Sequence, residues 1–195
     1  MKQINITRNS NGTVTFETVS IDVTDNVFFT NLDPQQAHWP TLSTNQLGKA
    51  PSPNSSQCTV PQGTAPYQVT YGCQITGHQN EQGIINVYGL LAAADDTTLP
   101  QATHGVPITA QPVVVGGQSP YAISGQLFQI TDSNNNVIQS GSGIGPGLQL
   151  KASTNSTGIS VSGTPTVVGT YNFTFTVNDA MGANLQQVQY LMKVV

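Results

Sequence analysis

The chain has 195 residues, room for one large domain or two small ones, and sets 5 Lys and Arg against 9 Asp and Glu for a net charge of −4. Charged residues make up 7% of it, whereas an ordinary soluble domain carries roughly 25%, so Thr, Ser, Asn and Gln must solvate the surface. So few cations cannot cover a phosphate backbone, which excludes nucleic acid as a partner and a polybasic membrane anchor with it. Long surface helices and coiled coils, which depend on Glu and Lys, are not expected either.

Taken in order, the elements have a period of two. Val14 to Val19, Tyr67 to Tyr71 and Tyr171 to Val177 alternate apolar with polar residues, as half-buried strands do, and Ile84 to Tyr88 and Val188 to Met192 also read as strands. Asn11-Gly12 is a two-residue hairpin signal. Thr41 to Gln57, with Pro51 and Pro53, reads as a surface loop. The 19 Gly and 12 Pro interrupt the chain at short intervals, and no long segment keeps a helical period. The expected fold class is all-β, two β-sandwich domains in series.

The expected boundaries are a first domain over 1–91, a linker over 92–106 through Ala92-Ala93-Ala94-Asp95-Asp96, and a second domain over 107–195. Charge divides with them. Residues 1–104 hold three basic against seven acidic residues, while 105–195 are balanced by Lys151 and Lys193 against Asp132 and Asp179. His38, His78 and His104, and both Cys58 and Cys73, lie in the earlier part. Site chemistry therefore belongs to the first domain.

The informative segment is Tyr71-Gly72-Cys73-Gln74-Ile75-Thr76-Gly77-His78-Gln79-Asn80-Glu81-Gln82-Gly83, a Cys and a His on one loop between two strands. A second His stands in Asn31-Leu32-Asp33-Pro34-Gln35-Gln36-Ala37-His38-Trp39-Pro40. One thiolate, two imidazoles and a weaker fourth ligand form the set that holds copper in electron-transfer sites. The competing use of Cys73 is a disulfide with Cys58. If Cys58-Thr59-Val60 and Tyr67 to Cys73 pair as a hairpin, the two cysteines stand about four residues out of register, roughly 13 Å apart at 3.3 Å per residue. A bridge needs Cα atoms within about 7 Å, but a looser connection would remove that objection, so both uses stay open.

Over residues 3–90 the chain resembles the cupredoxin family (plastocyanins, amicyanins, azurins, stellacyanins): an N-terminal β-hairpin, an isolated His after an F-x-N strand, then Y-x-Y-x-C…H…G. The resemblance implies a Greek-key sandwich holding one copper ion, with His38, Cys73 and His78 as the three strong ligands. The fourth departs from the family's Met. Counted back from Gly83 it is Glu81; counted forward from His78 it is Gln82, and Gln has precedent in stellacyanins. A Glu81 carboxylate would bind harder, lower the potential and move the site away from a blue spectrum.

Residues 107–195 resemble the bacterial putative-Ig family of cadherin-like surface repeats. The resemblance rests on Pro146-Gly147-Leu148-Gln149-Leu150, Gly158-Ile159-Ser160-Val161-Ser162-Gly163-Thr164-Pro165 and Gly169-Thr170-Tyr171-Asn172-Phe173-Thr174-Phe175-Thr176-Val177-Asn178-Asp179. Val113 to Ser119 matches its opening strand and turn. It implies spacing, adhesion or carbohydrate contact; dispersed aromatics give carbohydrate little support. It also allows Asp132 and Asp179 to bind Ca²⁺ as in cadherins, with few other carboxylates to complete the oxygen shell.

No Ser/His/Asp set or paired carboxylates suggest catalysis, so the chain is not expected to be an enzyme. The expected function is copper binding for one-electron transfer or copper sequestration, with a redox partner or another surface protein. The alternative is a metal-free surface protein with a Cys58–Cys73 disulfide. The expected location is extracytoplasmic: periplasmic, secreted or cell-surface. Apolar runs such as Leu90 to Ala94 are too short for membrane insertion, and Met1 to Asn5 lacks the apolar core of a signal peptide. Asn-x-Ser/Thr at Asn5, Asn11, Asn54, Asn155 and Asn172 reads as coincidence in a chain this rich in Asn and Thr.

Overall fold

The computed structural model describes residues 1–52, 54–152 and 157–195; Pro53 of the expected loop and the Asn155 sequon lie outside the described residues. The chain is all-β with sandwich-like layers. It divides into two compact units, Met1–Tyr88 and Gly89–Val195.

The first unit has seven strands: β1 (Lys2–Arg8), β2 (Val14–Phe16), β3 (Val19–Asp22), β4 (Asn26–Asn31), β5 (Ser55–Thr59), β6 (Tyr67–Gly72) and β7 (Gln82–Tyr88). One sheet runs β2-β1-β4-β5 and the other β3-β7-β6. The central pairs are parallel, β1 with β4 (Ile4↔Phe29) and β3 with β7 (Ile21↔Val87). The run Val14 to Val19, expected as one strand, breaks at Glu17-Thr18, and its two halves belong to different sheets. Ile4, Ile6, Phe16, Val19, Ile21, Val27, Phe29, Ile85 and Val87 point inward and form the core. Alternation supplies these inward positions, as the period-two pattern requires.

The hairpin β1–β2 forms, but its connection is longer than Asn11-Gly12 suggests. Arg8 pairs with Val14, and the loop is closed by Asn9 N–H donating to the Thr13 carbonyl at 2.8 Å. The supposed hairpin between the two cysteine segments does not form. β5 pairs with β4 and β6 with β7, in separate sheets.

Toward one end of this unit Tyr71, on β6, is opposite Gly83 on β7. A Cβ at Gly83 would come within 2.4 Å of the Tyr71 hydroxyl oxygen, which itself donates to the Glu17 carbonyl at 2.6 Å. Only glycine leaves room for that buried ring, so the start of β7 is held tight against the end of β6, beside Cys73.

The second unit contains β8 (Ala92–Ala93), β9 (Thr98–Ala102), β10 (Ile108–Val115), β11 (Ala122–Thr131), β12 (Val137–Ser142), β13 (Leu148–Ala152), β14 (Gly158–Gly163), β15 (Gly169–Asn178) and β16 (Asn184–Val194). Its sheets run β13-β14-β10-β8 and β12-β11-β15-β16-β9. On β15, Tyr171, Phe173, Phe175 and Val177 all turn inward, and Phe173 and Phe175 stack with Tyr190 at centroid distances of 6.1 and 6.4 Å.

The stretch expected as a linker over 92–106 is instead part of this unit. β8 pairs with Val114–Val115, β9 runs parallel to β16, and Leu99 and Ala102 are buried. Small residues and Pro100 suit an edge strand as well as a tether, because an edge needs fewer donors.

Replacing Gly83 by Ala should destabilise the first unit by about 1–3 kcal/mol through overpacking. Replacing Phe173 by Ala should cost the second unit about 3–5 kcal/mol through an unfilled cavity. Urea unfolding followed by fluorescence and circular dichroism measures both.

Candidate metal centre

Two chain segments cross at the end of the first unit and are laced together through their backbones. Thr41 N–H donates to the Gly72 carbonyl at 2.9 Å and Gln74 N–H to the Trp39 carbonyl at 2.8 Å, forming a bridge between Pro40 and Cys73. His38 is fixed by reciprocal bonds with Leu47, at 2.9 and 2.7 Å. The loop after β6 is closed at its base, where Cys73 N–H donates to the Glu81 carbonyl at 3.0 Å. Inside it His78 N–H reaches the Ile75 carbonyl at 3.0 Å, with Gly77 at φ 92° in the left-handed region that this turn requires.

These constraints gather His38, Cys73, His78 and Glu81, whose ligand atoms all lie within 4.8 Å of one another. Glu81 Oε2 is 2.9 Å from both His38 Nδ1 and His78 Nδ1, and Cys73 Sγ is 3.7 Å from His78 Nδ1. Around a metal with bonds of about 2.0 Å to nitrogen and 2.3 Å to sulfur, neighbouring N and S ligands stand roughly 3.5–3.7 Å apart. The thiol and His78 already meet that spacing. Glu81 needs to retreat by only about half an ångström from the imidazoles to do the same. The donor set fits a four-ligand site for a first-row metal.

His38 is fully buried, while His78 and Glu81 each keep 15% of their side chains exposed. The site thus opens to solvent at His78 and Glu81. The Cys73 sulfur accepts a hydrogen bond from the Trp39 N–H at 3.3 Å, and the Trp39 ring anchors itself through Nε1–H to the Ser43 carbonyl at 3.0 Å.

Gln82 does not join the cluster. As the first residue of β7 it alternates outward, is exposed, and its amide lies 3.4 Å from the Gln79 carbonyl. Of the two candidates for the fourth position, Glu81 is the one that points in. Cys58 and Cys73 are both free thiols, so the expected alternative of a bridge between them is not what the structure contains. Cys58 is buried on β5, and burial pushes its thiol pKa up. His104, in the second unit, lies 3.1 Å from the Thr166 carbonyl through Nε2. Asp132 accepts from Asn134 and Asn136, and Asp179 from Gln118, Met181 and Ala183, so each closes a turn.

Behind His38 lies a group that sequence reasoning missed. Asp33 is fully buried and places Oδ2 2.9 Å from His38 Nε2. Its two oxygens also receive Arg8 Nε at 3.0 Å and Nη2 at 2.7 Å, and Oδ1 the Gln35 N–H at 2.9 Å. Burial alone would push this carboxyl up, but the bonds from Arg8 and His38 outweigh it and hold the group well below the usual carboxylate range.

No family model matches the chain, and no curated protein matches it significantly. Among solved structures it is similar to an endo-fucoidan hydrolase from glycoside hydrolase family 107, at 11% identity and a TM-score of 0.36 over 91% of this chain and 27% of that one. It is also similar to a Bacteroides ovatus mixed-linkage glucan utilization locus protein, SGBP-B, solved with a heptasaccharide, at 14% identity and a TM-score of 0.22 over 90% and 42%. The chain spans less than half the length of either, and likeness at these scores carries no argument about function.

The Asp33 carboxyl gives a pH prediction. In the unfolded chain an Asp titrates near ~3.9, above its folded value, so its contribution to stability is present above that pH and lost as pH falls below it. The urea midpoint of the first unit should drop below about pH 4, and Asp33→Asn should flatten that drop.

Proposed function

We propose that the first unit is a copper-binding, cupredoxin-like domain, serving one-electron transfer or copper sequestration, and that the second is an Ig-like spacer. The observation that carries this reading is the convergence of one cysteine sulfur, two imidazole Nδ1 atoms and one carboxylate at a sheet end, where sequence resemblance independently expects three of those four ligands.

Bound copper supplies a one-electron couple. The chain's own residues supply the frame. The lacing of 38–41 to 72–74 and the closed base of the Cys73–Glu81 loop keep three of the four ligands at a fixed spacing. The Trp39 N–H offers the Cys73 sulfur a donor, which withdraws charge from a thiolate and is one of the features that tune such sites. His78, partly exposed where His38 is fully buried, is the imidazole through which an electron would exchange. A Glu81 carboxylate in place of the family's weaker fourth ligand would favour the divalent ion and a site that is not blue. The reading places the protein outside the cytoplasm, with a redox or surface protein as partner and no catalytic role. The charge-poor surface supports that location, and no helix of the described residues is long and apolar enough to cross a membrane.

The test is a titration of purified protein with Cu²⁺. Uptake of one equivalent with strong visible thiolate-to-copper absorption is expected, and Cys73→Ser should abolish that absorption while leaving the fold intact by circular dichroism. Failure of the native protein to take up copper at all overturns the reading. Glu81→Met, by removing a charge from the cluster, should raise the reduction potential and move the spectrum toward blue.

A further inference from the structure

The geometry points to a role for the buried pair behind the cluster: we infer that Asp33, ion-paired to Arg8, is a positioning residue that fixes which nitrogen of His38 faces the metal and biases the site toward Cu(II). This rests on the copper reading above.

Asp33 and His38 are both fully buried, and the Arg8 side chain is 14% exposed. Asp33 has nowhere to turn. Oδ1 receives Arg8 Nε and the Gln35 N–H, and Oδ2 receives Arg8 Nη2 and faces His38 Nε2. Arg8 is itself held by the Gly12 carbonyl and the Gln36 side-chain oxygen, both at 2.7 Å. A carboxylate only accepts, so His38 Nε2 must carry the hydrogen and donate it to Oδ2. Nδ1 meets the Glu81 carboxylate at the same 2.9 Å, but Glu81 is itself a candidate ligand that would turn to the metal, whereas Asp33 is held in place by Arg8, so Nδ1 is the nitrogen a metal would take. A carboxylate on the far nitrogen also makes the imidazole a more basic ligand.

Charge gives the valence bias. The thiolate of Cys73 and the carboxylates of Glu81 and Asp33 are opposed within this group by Arg8 alone. The net of two negative charges is balanced by a divalent ion and left in excess by a monovalent one. At a site with His38 and Asp33 sealed from water, that difference is weakly screened. Asp33 and Arg8 act with opposite sign, the first favouring Cu(II) and the second moderating it.

The test has two arms. In the metal-free native protein, long-range ¹⁵N–¹H correlation spectra of the histidine rings should show His38 carrying its hydrogen on Nε2. A hydrogen found on Nδ1 alone overturns the positioning role whether or not copper binds. In the copper-loaded protein, Asp33→Asn should raise the reduction potential and Arg8→Gln should lower it. Each should change the ratio of Cu(II) to Cu(I) affinity by about tenfold, or roughly 59 mV for one electron. Shifts of the same sign in both variants indicate a loosened site and overturn the valence bias. If Asp33→Asn does not fold, a potential that stays level or rises in Arg8→Gln overturns the bias by itself. Failure of the native protein to bind copper removes the copper reading and the valence bias together, while the ring-nitrogen result still decides what Asp33 does.

Discussion

A carboxylate removed from water must be paired or it raises the free energy of the fold. Asp33 satisfies that requirement with side chains and amides from the end of β1 and from the loop after β4. Arg8 comes from the end of β1, Gln35 and His38 from the loop after β4, and the Asn31 side-chain oxygen receives Asp33's own N–H at 2.9 Å. The parallel pairing of β1 with β4 brings Arg8 within reach of the loop, and the ion pair then orients His38. The sheet register brings the cation within reach, and loop conformation and the orientation of the His38 ring then depend on one buried anion.

The second element of the site is a backbone lattice rather than a set of side chains. Bonds between 38–41 and 72–74 join a loop that leaves one sheet to a strand end of the other. Amide bonds are indifferent to side-chain identity, so this frame holds its shape while the residues displayed on it differ in chemistry. The cluster is accordingly assembled from four residues, three of which lie within nine positions of one another and one of which is far away in sequence.

Much of the site was legible because spacing carries chemistry. Cys73 and His78 share a loop whose ends are marked by Tyr71 and Gly83, and both ends behave as their residues suggest. The choice between Glu81 and Gln82 was not legible by counting. It is decided by where β7 begins: Gln82 opens the strand and alternates outward, while the Cys73–Glu81 backbone bond turns the preceding residue in. Arg8 and Asp33 were invisible for a different reason, since they stand 25 residues apart and meet only through a parallel strand pair that no local pattern encodes. The fold class followed from period-two alternation. The expected linker failed because the short edge strands β8 and β9 bury none and two side chains respectively, too few to register as a pattern.

The closed base of the Cys73–Glu81 loop has an evolutionary consequence. Gly72 pairs with Gln82 and Cys73 N–H binds the Glu81 carbonyl, so the two stems are clamped whatever lies between them. The residues from Ile75 to Asn80 therefore form an exchangeable cassette. Lengthening or shortening it would leave the backbones of Cys73 and Glu81 in place and move the imidazole of His78. Changes there would alter one edge of the cluster without reopening the fold that holds it.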